Sequence, residues 1–178
     1  MNIEIRRPQI EDREQLQQFF QYTITDTYIK EGIEHLKEDL KNEIHSKMVL
    51  LEEDFNSNGE KYYLLIAFDG ETIVGTIGYG YSNDLVNETT NDEFRKTIEI
   101  GTVYVHPEYQ RKGIGKLLFS KILQELKVKG IEEFCLDSGY RLAQAYWRQK
   151  LGDPDYLLKD FWGEGSNYMI WRRKVKDV

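Results

Sequence analysis

The segment Val103–Asp137 constrains the fold more than any other part of this chain, because its hydrophobic period changes twice. It opens at the end of a strand-like run, Thr97 to Val105, in which Glu99 alternates with Ile98 and Ile100. Residues 112–129 then follow a helical period, with Ile114, Leu117, Leu118, Ile122 and Leu126 on one side and Gly130 as a natural stop. Glu133 to Asp137 is short and strand-like again. Strand, helix and strand in that order form a parallel crossover, which is right-handed by the usual rule.

The remaining elements build outward from this unit. Ile3 and Ile5 alternate with polar neighbours until Pro8, predicting a first strand. Leu16, Phe19 and Phe20 predict a helix over 11–21. Ile33, Leu36, Leu40, Ile44, Met48 and Leu51 predict a second, ending before a turn at Asn56–Gly59. Tyr62 to Phe68 and Thr72 to Tyr81 read as a hairpin around Asp69-Gly70, and residues 82–96 as a polar loop. A helix over Arg141–Leu151 and a closing hairpin, Tyr156–Trp162 with Tyr168–Lys174, complete the order. Hairpins interrupted by helices predict a mixed sheet in an α/β (α+β mixed) fold. At 178 residues the chain is expected to be one domain.

Composition removes several function classes. The net charge of -7 disfavours nonspecific nucleic-acid binding, which needs broad positive potential. Cys135 is the one cysteine, so no intramolecular disulfide can form, in keeping with a reducing compartment. No apolar run approaches the roughly 18–20 residues of a membrane span. The expectation is a soluble cytoplasmic protein without nucleic-acid or membrane partners.

The turn that joins strand to helix, "VYVHPEYQRKGIGK" from Val103 to Lys116, concentrates cations and glycines in this acidic chain. Pro107 has no N–H and ends the strand ladder. Gly113 and Gly115 let a ligand approach the backbone, and Arg111 and Lys112 add charge beside the unpaired N–H groups of a helix start. That combination suits a phosphate or pyrophosphate. The competing reading is a tight connection that merely contains glycines. Neither standard phosphate pattern fits: a P-loop needs glycine at Gln110 and Ser or Thr at Leu117, and a dinucleotide fingerprint needs glycine at Leu118.

These residues resemble the GNAT N-acetyltransferase superfamily. Its [QR]-x-x-G-x-[GA] signature is matched by Gln110-Arg111-Lys112-Gly113-Ile114-Gly115, following Val103-Tyr104-Val105-His106-Pro107. The stretch Ala143 to Gly152, ending Lys150-Leu151-Gly152, is similar to the family's second motif. The order of elements over nearly the whole chain also resembles that fold. The resemblance implies one GNAT-like domain: a mixed, mostly antiparallel twisted sheet, splayed at the cofactor site and flanked by about four helices.

It further implies acetyl-CoA as co-substrate and direct acetyl transfer to an amine of a small molecule or peptide. The pyrophosphate would sit on the N–H groups of Arg111, Lys112, Gly113, Ile114, Gly115 and Lys116, the pantetheine along Val103, Tyr104 and Val105, and Gln110 and Ser138 would also bind the cofactor. A homodimer through the C-terminal strands is compatible with the resemblance. A non-catalytic acyl-CoA sensor is the rival function, supported by Arg148 standing where many members carry the second-motif tyrosine.

The chemistry needs a base for the amine proton and an acid for the leaving thiolate. By the resemblance, Glu99, eleven positions before Gln110, matches a catalytic carboxylate of some members; the competing reading is an exposed strand glutamate. For the acid, Tyr146, Tyr140 and Ser138 are the candidates, with water as an alternative. Tyr28, Glu31 and Trp162 are candidate acceptor contacts, since aromatic rings and carboxylates suit a cationic amine. Cys135, between Phe134 and Leu136, reads as a buried small hydrophobe rather than a nucleophile. His106 reads as a loop residue, and His35 and His45 lack helical metal-pair spacing, so no metal is expected.

Overall fold

The computed structural model describes every residue, Met1–Val178. Its strands are β1 (Ile3–Arg6), β2 (Tyr62–Asp69), β3 (Thr72–Tyr81), β4 (Ile98–Val105), β5 (Glu133–Ser138), β6 (Tyr156–Leu158) and β7 (Tyr168–Lys174). Its helices are α1 (Arg13–Glu31), α2 (Lys37–Ser57), α3 (Asp84–Thr89), α4 (Ile114–Val128) and α5 (Arg141–Leu151). All seven strands share a mixed sheet in the order β1-β2-β3-β4-β5-β7-β6. β4 and β5 pair in parallel, while β1–β2, β5–β7 and β6–β7 pair antiparallel. The predicted crossover and mixed α/β sheet are therefore present.

Within this architecture the residues group into two compact units. The first comprises Met1–Tyr79 and Thr102–Gln124, the second Gly80–Gly101 and Glu125–Val178. No helix is long and apolar enough to cross a membrane.

Several boundaries differ from the sequence expectation. The first helix does not stop near residue 21 but runs to Glu31. Its buried stripe continues through Thr23, Ile24 and Tyr28. Within it Thr25 and Thr27 satisfy their hydroxyls on the carbonyls of Gln21 and Thr23, one turn back. Gly32, at φ 71, ends it. The second helix starts at Lys37 rather than Ile33 and absorbs Asn56 and Ser57, so the turn shrinks to Asn58 and Gly59. The predicted loop over 82–96 contains α3, whose N-cap Asn83 accepts from the Val86 N–H. The last hairpin is asymmetric, because its first strand ends at Leu158 instead of Trp162.

In the first unit, an ion pair between a half-buried Arg7 and the buried Asp54 fastens the N-terminal strand region to α2. Asp54 is fully buried; Arg7 Nη2 donates to its Oδ1 at 2.7 Å and the Leu64 N–H to its Oδ2 at 2.9 Å. Removing the cation strands a buried charge, which costs about 3–5 kcal/mol. We expect Arg7→Ala to lower the melting temperature by roughly 10 °C, at ~2–4 °C per kcal/mol for a chain of this size. A drop of under about 3 °C in a calorimetric scan would show that solvent reaches Asp54 instead.

Candidate functional site

The turn, with the end of β4 and most of α4, lies within the first unit, which holds Thr102–Gln124. After Pro107 the chain makes a short 3-10 turn through Tyr109, and α4 begins at Ile114. Two residues between them adopt left-handed backbone: Arg111 at φ 62 and Gly113 at φ 88. For arginine this conformation is uncommon, and alternating handedness of this kind turns successive N–H groups toward one concavity, an anion-binding arrangement. Arg111, Lys112, Gly113 and Lys116 are all exposed. A Cβ added at Gly113 would meet nothing within 4 Å, so the space beside the backbone there is open.

Other residues hold this turn in place. Gln110 donates from Nε2 to the Val105 carbonyl at 3.2 Å and accepts from Lys30 Nζ at 3.2 Å, while Lys30 also pairs with Asp26 at 2.6 Å. Gln110 thus ties the turn to the last turns of α1. Lys112 lies 5.1 Å over the Tyr109 ring. Gly75 of β3 lets the first turn of α4 settle closely, since a Cβ there would come within 2.8 Å of Leu118 and 3.0 Å of Ile114.

β4 carries a feature that its sequence alternation hides. Thr102 has φ 53, which for a β-branched residue is a genuine outlier. The distortion is held by buried hydrogen bonds: the Thr102 and Tyr62 hydroxyls meet at 2.6 Å, and Thr76 Oγ1 donates to the Thr102 carbonyl at 2.8 Å. Tyr62 reaches it across Gly78, where a Cβ would sit 2.7 Å from the phenol oxygen. The parallel ladder with β5 contains only Ile98↔Phe134 and Glu99↔Cys135, so it ends before this kink. Strain of this kind persists only where its surroundings over-determine it. Tyr62→Phe should cost about 1–2 kcal/mol in denaturant unfolding by leaving the Thr102 hydroxyl without its phenol partner. An unchanged midpoint would mean that Tyr62 does not hold the kink.

The candidate base lies in the second unit. Glu99 is half-buried, and one residue holds both of its oxygens. The Asn83 N–H donates to Oε2 at 2.7 Å and Asn83 Nδ2 to Oε1 at 2.9 Å. The same Nδ2 lies 3.4 Å from Asp137 Oδ2, which also accepts from the Tyr168 hydroxyl at 2.5 Å. Cys135, opposite Glu99, is fully buried, as the sequence suggested. Burial first, then the charges of Glu99 and Asp137, push its thiol above the usual range, which leaves it a poor nucleophile. Burial and Asp137 likewise raise the Tyr168 phenol, so it remains a hydrogen-bond donor.

Of the other candidates, Ser138, Tyr140 and Trp162 gather at the end of β5. Tyr140 is the N-cap position of α5, and Ser138 is buried with its hydroxyl 3.4 Å from the Tyr140 carbonyl. Gln144 Nε2 donates to the carbonyls of Ser138 and Asn167, both at 2.8 Å, fixing the turn between β5 and α5. Tyr146 is partly exposed beside Trp147, and burial raises its phenol. Arg148, in place of the second-motif tyrosine, lies 4.0 Å from Asp153. Tyr28 is buried within α1, and Glu31 is half-buried at that helix's end. Trp162 is exposed, contacting Phe161 and Tyr168, and its indole covers Gly139, where a Cβ would lie 3.0 Å from Nε1. No group of three or more metal-ligating side chains comes together.

Sequence reasoning missed Asn83, Asp137 and Tyr168. The Asn83-Asp84 pair was a legible cap signal, but its contact with Glu99 spans sixteen residues and only folding reveals it.

A strand ending in a cationic left-handed turn at a helix start, in a sheet of this order, defines a class. Residues 25–153 match the Acetyltransferase (GNAT) family, and the chain belongs to it. It is 27% identical over 105 residues to ycf52 of Gracilaria tenuistipitata var. liui, described as an N-acetyltransferase; the match spans about half of each protein, 54% of this chain and 56% of the relative. Among solved structures it resembles PaiA N-acetyltransferase from Thermoplasma acidophilum in complex with coenzyme A. That match has a TM-score of 0.71 and 26% identity, and covers 98% of this chain and 99% of the other. The protein yncA from Salmonella typhimurium, solved with its cofactor acetyl-CoA, shares the fold at a TM-score of 0.69 and 18% identity, covering 98% and 95%.

Proposed function

We propose that this N-acetyltransferase binds acetyl-CoA at the Gln110–Lys116 turn and passes its acetyl group directly to an amine. The observation that carries this reading is the left-handed pair Arg111 and Gly113 directly before α4. It presents exposed cations and backbone N–H groups where a pyrophosphate would need them. The early end of the β4–β5 ladder supports the companion reading, in which pantetheine adds to β4 at Val103–Val105, beyond its pairing with β5. Ser138, at the end of β5, is assigned to the same cofactor.

In this reading Glu99 accepts a proton from the bound ammonium, directly or through water. The neutral nitrogen attacks the thioester carbon, the C–S bond breaks, the CoA thiolate takes a proton from Tyr146, Tyr140, Ser138 or water, and the proton shed by the acylated nitrogen restores that donor. Tyr28, Glu31 and Trp162 would contact the acceptor, a small-molecule or peptide amine. No metal is required, and the expected setting is the cytoplasm, with a homodimer compatible.

Calorimetric titration with acetyl-CoA, followed by thiol-release assays over polyamines, amino sugars, amino acids and peptides, tests the proposal. Binding with thiol release for at least one amine class is expected. Binding without release for any acceptor would favour the acyl-CoA sensor, and no binding at high micromolar protein would remove both readings.

A further inference from the structure

We propose that Asn83 is a positioning residue for acetyl transfer, clamping Glu99 and holding it beside a second carboxylate, Asp137. This rests on the reading of Glu99 as the base. The clamp is unusual in that one residue supplies both donors: its main-chain N–H to Oε2 at 2.7 Å and its Nδ2 to Oε1 at 2.9 Å. A carboxylate gripped at both oxygens cannot swing about its terminal torsion, which fixes the direction in which it meets an incoming N–H.

The amide itself has only one workable orientation. Asn83 Oδ1 accepts from the Val86 N–H at 2.9 Å. Flipping the amide would place its NH₂ against that donor and its oxygen against two carboxylates, with repulsion at every contact. The correctly oriented NH₂ spans both acids, 2.9 Å from Glu99 Oε1 and 3.4 Å from Asp137 Oδ2. Asp137 is steadied independently by the Tyr168 hydroxyl at 2.5 Å.

Asn83 is also anchored from outside the cluster. Its neighbour Ser82 donates its N–H to the Thr97 carbonyl at 2.9 Å, its hydroxyl hydrogen bonds with Asn87 Oδ1 at 2.7 Å and Phe94 O at 2.8 Å, and its carbonyl accepts from Asn87 Nδ2 at 3.2 Å. The short α3 and its buried polar network therefore act as a bracket for the amide. The ionisable groups around Glu99 are Asp137 and Cys135 on β5 and Tyr168 on β7, with Arg172 of β7 acting on Cys135. An ammonium arriving here meets two carboxylates linked by a neutral amide: one takes the proton while the other retains its charge.

Two variants separate this role from simple structural support. Asn83→Ser keeps a good helix cap and the main-chain N–H but removes the side-chain bridge. We expect kcat to fall about 10- to 100-fold, the scale of a misplaced catalytic group, with the acetyl-CoA Kd within about twofold of wild type. Asn83→Asp keeps the cap oxygen and puts a third carboxylate against the pair. Like charge disfavours the ionised base, so the acid limb of the kcat/KM profile should move up by about one pH unit. If both variants fold and transfer acetyl at wild-type rates with an unmoved acid limb, Asn83 has no positioning role. A wild-type protein that acetylates no amine removes the base reading and this role together, whereas an active wild type with indifferent variants removes this role alone.

Discussion

Gly115→Glu is expected to abolish acetyl-CoA binding; that is the largest effect expected in the first unit. Gly115 is the second residue of α4, half-buried and directly after the left-handed turn. A carboxylate in the first turn of a helix favours the helix itself by about 0.3–1 kcal/mol, so the charge does not oppose α4, and the melting temperature separates a packing effect from a binding effect. It sets a negative charge where a pyrophosphate is to be held. Two charges about 4 Å apart near a protein surface repel by roughly 4 kcal/mol, which corresponds to on the order of a thousandfold in affinity. Calorimetry should find at least ~100-fold weaker binding, beside a melting temperature close to wild type. Affinity within about threefold of wild type would move the proposed cradle elsewhere.

The turn proposed as a cradle was legible in sequence because its signals are local. Proline ends a strand, glycines release the backbone, and the apolar period changes within a dozen residues. The parallel crossover followed from the same local change. The kink at Thr102 was not legible: threonine is a good strand former, and only its buried partners Tyr62 and Thr76, distant in sequence, hold it at positive φ. α3 was read as loop because Asn83–Thr90 contains just Leu85 and Val86 as apolar residues, too few for a periodic stripe. Its cap and its Ser82–Asn87 bonds make it a helix. Glu99 was found through family spacing, whereas its companions Asn83, Asp137 and Tyr168 were not, since each meets the others only across strands. Local chemistry thus marked the place where a cofactor would be held, and tertiary hydrogen bonds decided how the candidate base is held.

Glu99→Gln should lower kcat by about 10²- to 10⁴-fold, the usual contribution of a general base, with little change in acetyl-CoA affinity. The substitution is nearly isosteric and removes the charge, so loss of rate reports proton transfer rather than packing. It also has a structural consequence that must be separated from the chemical one. Asn83 presents two donors to the two Glu99 oxygens, and a glutamine can accept from only one of them. The side chain is half-buried, so the displaced donor can turn to water, and the cost stays near 1 kcal/mol, about fivefold in an equilibrium. A rate loss well beyond fivefold therefore belongs to the base. The pH profile supplies the independent check: the acid limb of kcat/KM should flatten in the variant, because no carboxylate remains at position 99 to be protonated. Tyr146→Phe and Tyr140→Phe, which remove the candidate thiolate acids, should each fall short of that loss, since water can protonate the thiolate in their place. A Glu99→Gln enzyme within about threefold of wild type, with its acid limb intact, would assign the proton to another group.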